Sequence, residues 1–484
     1  MSRPRRRLWA VACMVLFVAS CGGGGTTGQA PTGSDLPACP VDALDTATGP
    51  VEVVVWHTQQ AKPLEALQQL VNHYNASQNR VRVRLENQGT SYDELQRKFA
   101  TAVPSRQLPA LIMVDDTFTK SMADSGVVLP AQSCIDAEGY DTSGFVETAK
   151  SYYTIDGVLW PASANLGSVL LFYNRAHFRA AGLDPDRSPS TLAEVREYAE
   201  RIKAASVVDR PLVHELASWK TEFWLTGAGS AVVDNRNGRG AGETTAATLT
   251  GNREALQLYS WFQQMNADGL LTPVPSVPGQ IDQYLAMANR QASMMVESSS
   301  AATSVEAFLG GNLDPSQIGA EGFDPTRLSG LDIGAGPFPA LGEQAIGKTQ
   351  MGGAAWYLIN TVPEPVQAAA WDFMKFMNTP QAQAVMLTGG SYLPYVKAAN
   401  DRPEVRAFYT GSLAGRWLKI ANDQIAAIDP TFPGPLIGPY YEFREAVRKS
   451  QDALIFSGRS PEEALDQAQR EVDAAIARYN ETDF

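Results

Sequence analysis

Basic residues are scarce in this chain. Lys and Arg number 39 against 52 Asp and Glu over 484 residues, a formal net charge of −13. After the first seven positions no basic block occurs. Backbone binding to nucleic acid draws on clustered Lys and Arg, so no nucleic-acid partner is expected. Histidine is rarer still, with four scattered copies, and cysteine also numbers four. Without a CxxC or a Cys/His cluster, no metal site is expected. Neither GxSxG nor HExxH is present, and His214–Glu215 lacks the second His of a zinc protease. No catalytic residue and no cofactor are therefore expected. Long apolar runs are missing too: the stretch 8–18 falls short of the about 20 residues that span a bilayer.

What is present begins at the N-terminus. Arg3, Arg5, Arg6 and Arg7 precede the apolar run, and Val18, Ala19, Ser20 and Cys21 follow it. A basic start, a short apolar core and small residues make a secretory signal. The Cys after the small residues resembles a bacterial lipobox, in which that Cys is lipidated. We expect a signal peptide at 1–20, a lipid on Cys21 and a flexible Gly-rich tether over 21–49. The protein would then work outside the cytoplasm, held to the cell membrane by its lipid; stable anchoring takes two lipid signals, which a multiply acylated Cys supplies. In that oxidising compartment the two remaining mature cysteines, Cys39 and Cys134, are expected to pair.

Further along, apolar and helical periods alternate. VEVVVW at 51–56 reads as a buried parallel strand, and Leu64, Leu67, Leu70, Val71 and Tyr74 as one helix face. A second strand covers 81–85, a helix starts at Tyr92, and LPALIMV at 108–114 is a third strand ending at Asp115 and Asp116. Strands alternating with helices give an α/β fold with a mostly parallel sheet. NLGSVLLFYN at 165–174 reads as one strand; further strands are expected at 291–297, 333–339 and 352–360, whereas 269–278 reads as irregular. At the C-terminus Ser460, Pro461 and Glu463 form a capping box for a helix carrying Leu465, Ala468, Val472 and Ile476 on one face.

Ligands of open α/β sheets sit beyond the carboxyl ends of strands, where Tyr92 and Asp116 fall. Neighbours on a strand point to opposite faces, so Asp115 and Asp116 are not expected to flank one bond. Trp219, Trp356 and Tyr392 offer aromatic faces for sugar C–H surfaces. Trp356 follows Gly352 and Gly353, which allow close backbone approach, and is expected in the pocket.

Several segments in fixed order resemble the extracellular solute-binding proteins of carbohydrate-type ABC importers (family 1), and among these the glycerol-3-phosphate and glycerophosphodiester binders. They are VEVVVWHT, YDELQRKFATA, PALIMVDD, LFYNRAHFRAAGLDP, GGAAWYLIN, AAWDFMKFMNTPQAQ, GGSYLP and SPEEALDQAQREVDAAIARYN. The resemblance implies a two-lobe periplasmic-binding-protein fold with hinge strands and a ligand cleft. Lobe 1 is expected at 50–160 and about 285–345, lobe 2 at about 161–284 and 346–484. It implies ligand contacts at Tyr92, Asp116, Gly352, Gly353 and Tyr392, with Trp219 from the second lobe. The family's paired serines fall near Leu166 and Gly167, beside Ser168, and its phosphate-binding Arg near Leu436, with Arg444 close by. That departure favours a neutral carbohydrate or polyol over a glycerol phosphodiester. The expected partners are ABC permease subunits, the chain itself being a monomer. The readings of other classes are an extracytoplasmic glycoside hydrolase using Asp115 or Asp116, and a sensory or adhesive lipoprotein.

Overall fold

The computed structural model describes residues 36–277, 280–312, 314–315, 323–342 and 349–482. The expected signal peptide, Cys21 and the tether up to residue 35 lie outside the described residues.

The chain runs through β1 (Val51–His57), β2 (Val81–Asn87), β3 (Leu111–Asp115) and β4 (Val128–Leu129). A small hairpin of β5 (Thr154–Ile155) and β6 (Val158–Leu159) precedes β7 (Ser163–Gly167). Next come β8 (Val169–Asn174), β9 (Leu212–Glu215), β10 (Leu271–Val274), β11 (Met294–Ser298), β12 (Ile333–Pro337) and β13 (Gly352–Ile359). The first large sheet has the order β2-β1-β3-β13-β4, with β7 also on β13; the second has the order β10-β9-β11-β8-β12. Each sheet with its helices makes one lobe of a periplasmic-binding-protein fold.

The first strands form as their patterns predict. Val53 and Val55 of β1 are fully buried, and β1 pairs in parallel with β2 and β3. The helix Ala61–Ser77 covers them with Leu67, Leu70, Val71 and Tyr74. The C-terminal helix Pro461–Asn480 carries the expected capping box between Ser460 and Glu463. It packs with Tyr440–Phe456 and Arg253–Ala267 on the second lobe. Cys39 and Cys134 form the expected disulfide, fastening the entry of the fold to the helix Ala131–Glu138.

Three expectations are corrected. The run 165–174 is not one strand: β7 belongs to the first sheet and β8 to the second, with Ser168 alone between them. The lobe boundaries also change. β11 and β12 flank β8 in the second sheet, so 285–345 does not join lobe 1; β13 pairs with β3, β4 and β7, so it does not join lobe 2. The reason is backbone accounting, since both buried edges of β8 need ladder partners and antiparallel β11 and β12 supply them. Finally, β10 lies in the segment read as irregular; its Pro273 is tolerated because β10 is an edge strand. Among the described residues no helix is long and apolar enough to cross a membrane.

Candidate functional site: the cleft between the sheets

A cavity of about 150 Å³ lies between the two lobes. The first lobe contributes Tyr92, Asp115, Asp116, Gly352, Gly353 and Tyr392; the second contributes Trp219, Phe223, Ser298, Ser300 and Arg444, and Ser168 stands at the crossing. Seven of the eight expected ligand residues are thus together: Tyr92, Asp116, Ser168, Trp219, Gly352, Gly353 and Tyr392.

Trp356 is the exception. It is 0 % exposed in the middle of β13, and its Nε1 donates to Asn165 Oδ1 at 3.3 Å. Side chains alternate along a strand, and β13 is covered on both faces, so Trp356 belongs to the core. The glycines before it serve the sheet directly. Gly353 has φ +129°, and a Cβ there would lie 2.1 Å from the Asn165 carbonyl oxygen. At Gly352 a Cβ would come within 2.9 Å of the Phe223 ring.

Asp115 and Asp116 both reach the cavity, contrary to the strand-alternation expectation. Strand geometry ends at Asp115, and Asp116 already begins a short 3-10 turn capped by Asp115. Asp116 is 2 % exposed; Tyr152 interacts with its carboxyl, and its Oδ2 has no hydrogen-bond partner among the described residues. Burial, reinforced by neighbouring Asp115, pushes its carboxyl well above the usual range. Asp115 is engaged, accepting from Thr117 N–H and from Arg444 Nη1 at 3.2 Å.

Arg444 is a cavity residue that sequence reasoning left outside the site. The family Arg was placed near Leu436, which is buried, whereas Arg444 lines the cavity. Its Nε donates to Glu222 Oε1 at 3.0 Å, and Tyr440 Oη donates to Glu222 Oε2 at 2.9 Å. Burial opposes the charge on Arg444, but Asp115 and Glu222 outweigh it and hold the guanidinium protonated. A signal existed: Tyr440 and Arg444 are four residues apart on the helix Tyr440–Phe456 and so share a face.

The two cavity tyrosines are held through Gln59. Gln59 Nε2 donates to Tyr92 Oη at 2.8 Å, Tyr392 Oη donates to Gln59 Oε1 at 2.9 Å, and the hydroxyls lie 3.1 Å apart. Gln59 is in turn fixed by His57, whose Nδ1 accepts the Gln59 N–H at 3.0 Å. Beside Trp219, Lys220 is fully buried and paired with Glu215 and Glu297 at 3.1 Å each, and its Nζ lies 5.1 Å from the centre of the Trp219 ring. Gln59 falls in the stretch 57–60 beyond the carboxyl end of β1, a position where ligands of open sheets sit, whereas Lys220 was not anticipated.

Residues 342–349 (GEQAIGKT) carry the spacing of a phosphate-binding loop. Such a loop joins a strand to a helix. Here Thr349 leads towards the strand β13 rather than into a helix, and 343–348 lie outside the described residues. Among the described residues no His/Cys/Asp/Glu group could hold a metal ion.

The family model for bacterial extracellular solute-binding proteins matches residues 69–408. The sn-glycerol-3-phosphate-binding periplasmic protein UgpB of Rhizobium meliloti (strain 1021) is 24% identical over 438 residues, 89% of this chain and 95% of that protein. Among solved structures, the GacH receptor of Streptomyces glaucescens GLA.O, studied unliganded and with acarbose, has a TM-score of 0.69 at 19% identity. That match covers 90% of this chain and 100% of the receptor. UgpB from Mycobacterium tuberculosis in complex with glycerophosphocholine has a TM-score of 0.69 at 18% identity, covering 89% of this chain and 99% of that one. At these identities the structural likeness speaks for the fold.

Proposed function

Since this chain belongs to the bacterial extracellular solute-binding protein family, we propose that it captures a neutral carbohydrate or polyol and hands it to the permease of an ABC importer. The observation that carries the ligand class is the composition of the cavity. Trp219, Tyr92 and Tyr392 offer aromatic surface, while Asp116 and Ser168 offer hydrogen-bonding groups beside it. Asp116 Oδ2, without a partner among the described residues, is a place for a ligand hydroxyl to donate. Arg444 is already answered by Asp115 and Glu222, which leaves an added phosphate without an unpaired cation.

A glycerol phosphodiester is the second reading. It is favoured by the presence of Arg444 on the cavity wall and by relatives whose names carry glycerol phosphate and glycerophosphocholine. The ligand contacts on this reading are the same seven residues, with Arg444 turned from Asp115 to the phosphate.

Binding by lobe closure around the solute fits a cavity walled by both lobes. Attachment through a lipid on Cys21 would keep a monomeric receptor near its permease. Calorimetry against hexoses, maltose, polyols, glycerol 3-phosphate and glycerophosphocholine tests the ligand class. Silence across the panel would overturn it, and binding restricted to the phosphates would select the second reading. For the anchor, Cys21→Ser should move the protein from the membrane fraction to the medium or periplasm; retention would remove the lipid.

A further inference from the structure

Next to the polar cavity the interlobe cleft opens into a second cavity of about 470 Å³. The two share Tyr92, Ser300 and Tyr392. The shared wall therefore includes the tyrosine pair whose hydroxyls are turned on each other and on Gln59. Beyond it the second-lobe wall is apolar, built by Leu285, Val305, Phe308, Leu309 and Leu331, and Pro63 faces them from the first lobe. Of these only Phe308 is buried; the others keep more of their surface open. Part-open apolar side chains lining a concave space are the usual walls of a ligand pocket.

Size points the same way. Ligand pockets usually measure roughly 300–1,000 Å³, so the polar cavity alone holds little more than a head group. The space that adjoins it offers hydrocarbon surface rather than a further array of ionic groups. Among the described residues no Asp, Glu, Lys or Arg lines it.

We propose that the groove takes the hydrocarbon part of an amphipathic solute. The polar head lies among Asp116, Ser168 and Trp219, and a single short alkyl or acyl chain passes Tyr92 and Tyr392 to rest on Val305, Leu309 and Leu331. This rests on the solute-capture reading above and narrows its ligand class to head groups bearing one chain. The commitment to this occupant comes from continuity: the groove opens directly onto the head-group cavity and is walled by both lobes, as the ligand site is.

The test uses two homologous series below their micelle-forming concentrations. One is n-alkyl β-D-glucosides from methyl to octyl; the other is glycerophosphocholine and its 1-acyl forms from acetyl to hexanoyl. Burial of one methylene is worth about 0.8 kcal/mol, so affinity should rise about fourfold per added methylene in the series whose head binds. Val305→Asp should flatten that rise and leave the shortest member within about twofold, as expected of a part-exposed position outside the head-group cavity. Leu331→Asp should do the same, and thermal melts report whether either variant is folded. A short member that binds while affinity stays flat along the wild-type series overturns the groove and leaves solute capture standing. Failure of every member, short and long, overturns the groove as well; solute capture then depends on the wider panel.

Discussion

Arg444 of the second lobe reaches Asp115 of the first, Nη1 to Oδ1 at 3.2 Å, while its Nε holds Glu222 at 3.0 Å. One guanidinium thus spans the cleft. Asp115 and Glu222 sit on different sheets' territory, so this ion pair reports lobe–lobe geometry directly.

Breaking such a buried pair from one side leaves a charge uncompensated. Arg444→Met should cost about 3–5 kcal/mol in denaturant unfolding, because Glu222 is left buried without its cation. A double-mutant cycle with Asp115→Asn should show a coupling of about 1 kcal/mol or more. Additive losses would mean that the two groups do not hold each other in solution.

The two tryptophans should separate cleanly. Trp356→Ala should destabilise by about 3–5 kcal/mol through a core cavity, with affinity measured on the remaining folded protein little changed. Trp219→Ala, half-buried at the cleft, should leave the melt nearly intact and weaken solute binding by about tenfold or more. The reverse pattern would return Trp356 to the pocket.

The disulfide closes a loop with a sequence separation of 95. Chain-entropy arithmetic for that length gives about 4–5 kcal/mol. Cys39→Ser/Cys134→Ser should therefore lower the first-lobe denaturation midpoint by that equivalent, with binding retained at low temperature. An unchanged midpoint would assign the bridge no role in stability.

Acid should loosen the tyrosine pair. Burial pulls the His57 imidazole from its ordinary 6.5 down to about 4, and its Nδ1 must stay unprotonated to accept the Gln59 N–H. The unfolded chain takes up the proton first, so this contribution is complete above about 6.5 and is lost as pH falls from 6.5 towards 4. Burial lowers His214 and His177 as well, so they slope the same way. His57→Asn keeps an acceptor without a proton to gain and should flatten part of the slope in melts between pH 7 and 4. An unaltered slope would remove His57 as a source.

Much of the first lobe was legible because β1 to β3 are buried strands separated by amphipathic helices, and such periods survive in the sequence. The switch at Ser168 was not. NLGSVLLFYN is uniformly buried on both sides of it, and a strand that changes sheets leaves no local mark. The pocket residues at strand ends, Tyr92 and Asp116, could be read from position alone. Trp356 could not be separated from them, since core and pocket aromatics have the same composition. Arg444 required knowing that its helix returns to the first lobe's Asp115 after more than three hundred residues, a contact at a sequence separation of 329.

Ser168 lies at the cavity and is also the lone residue between β7 and β8. Its N–H donates to Ser299 Oγ at 3.1 Å, and its hydroxyl accepts from Gln424 Nε2 at 3.2 Å. Ser168 is one of the points where the chain passes from one sheet to the other, as it does again between β12 and β13. A solute hydrogen-bonded here would hold a pivot as well as the jaws, so occupancy would stiffen the hinge.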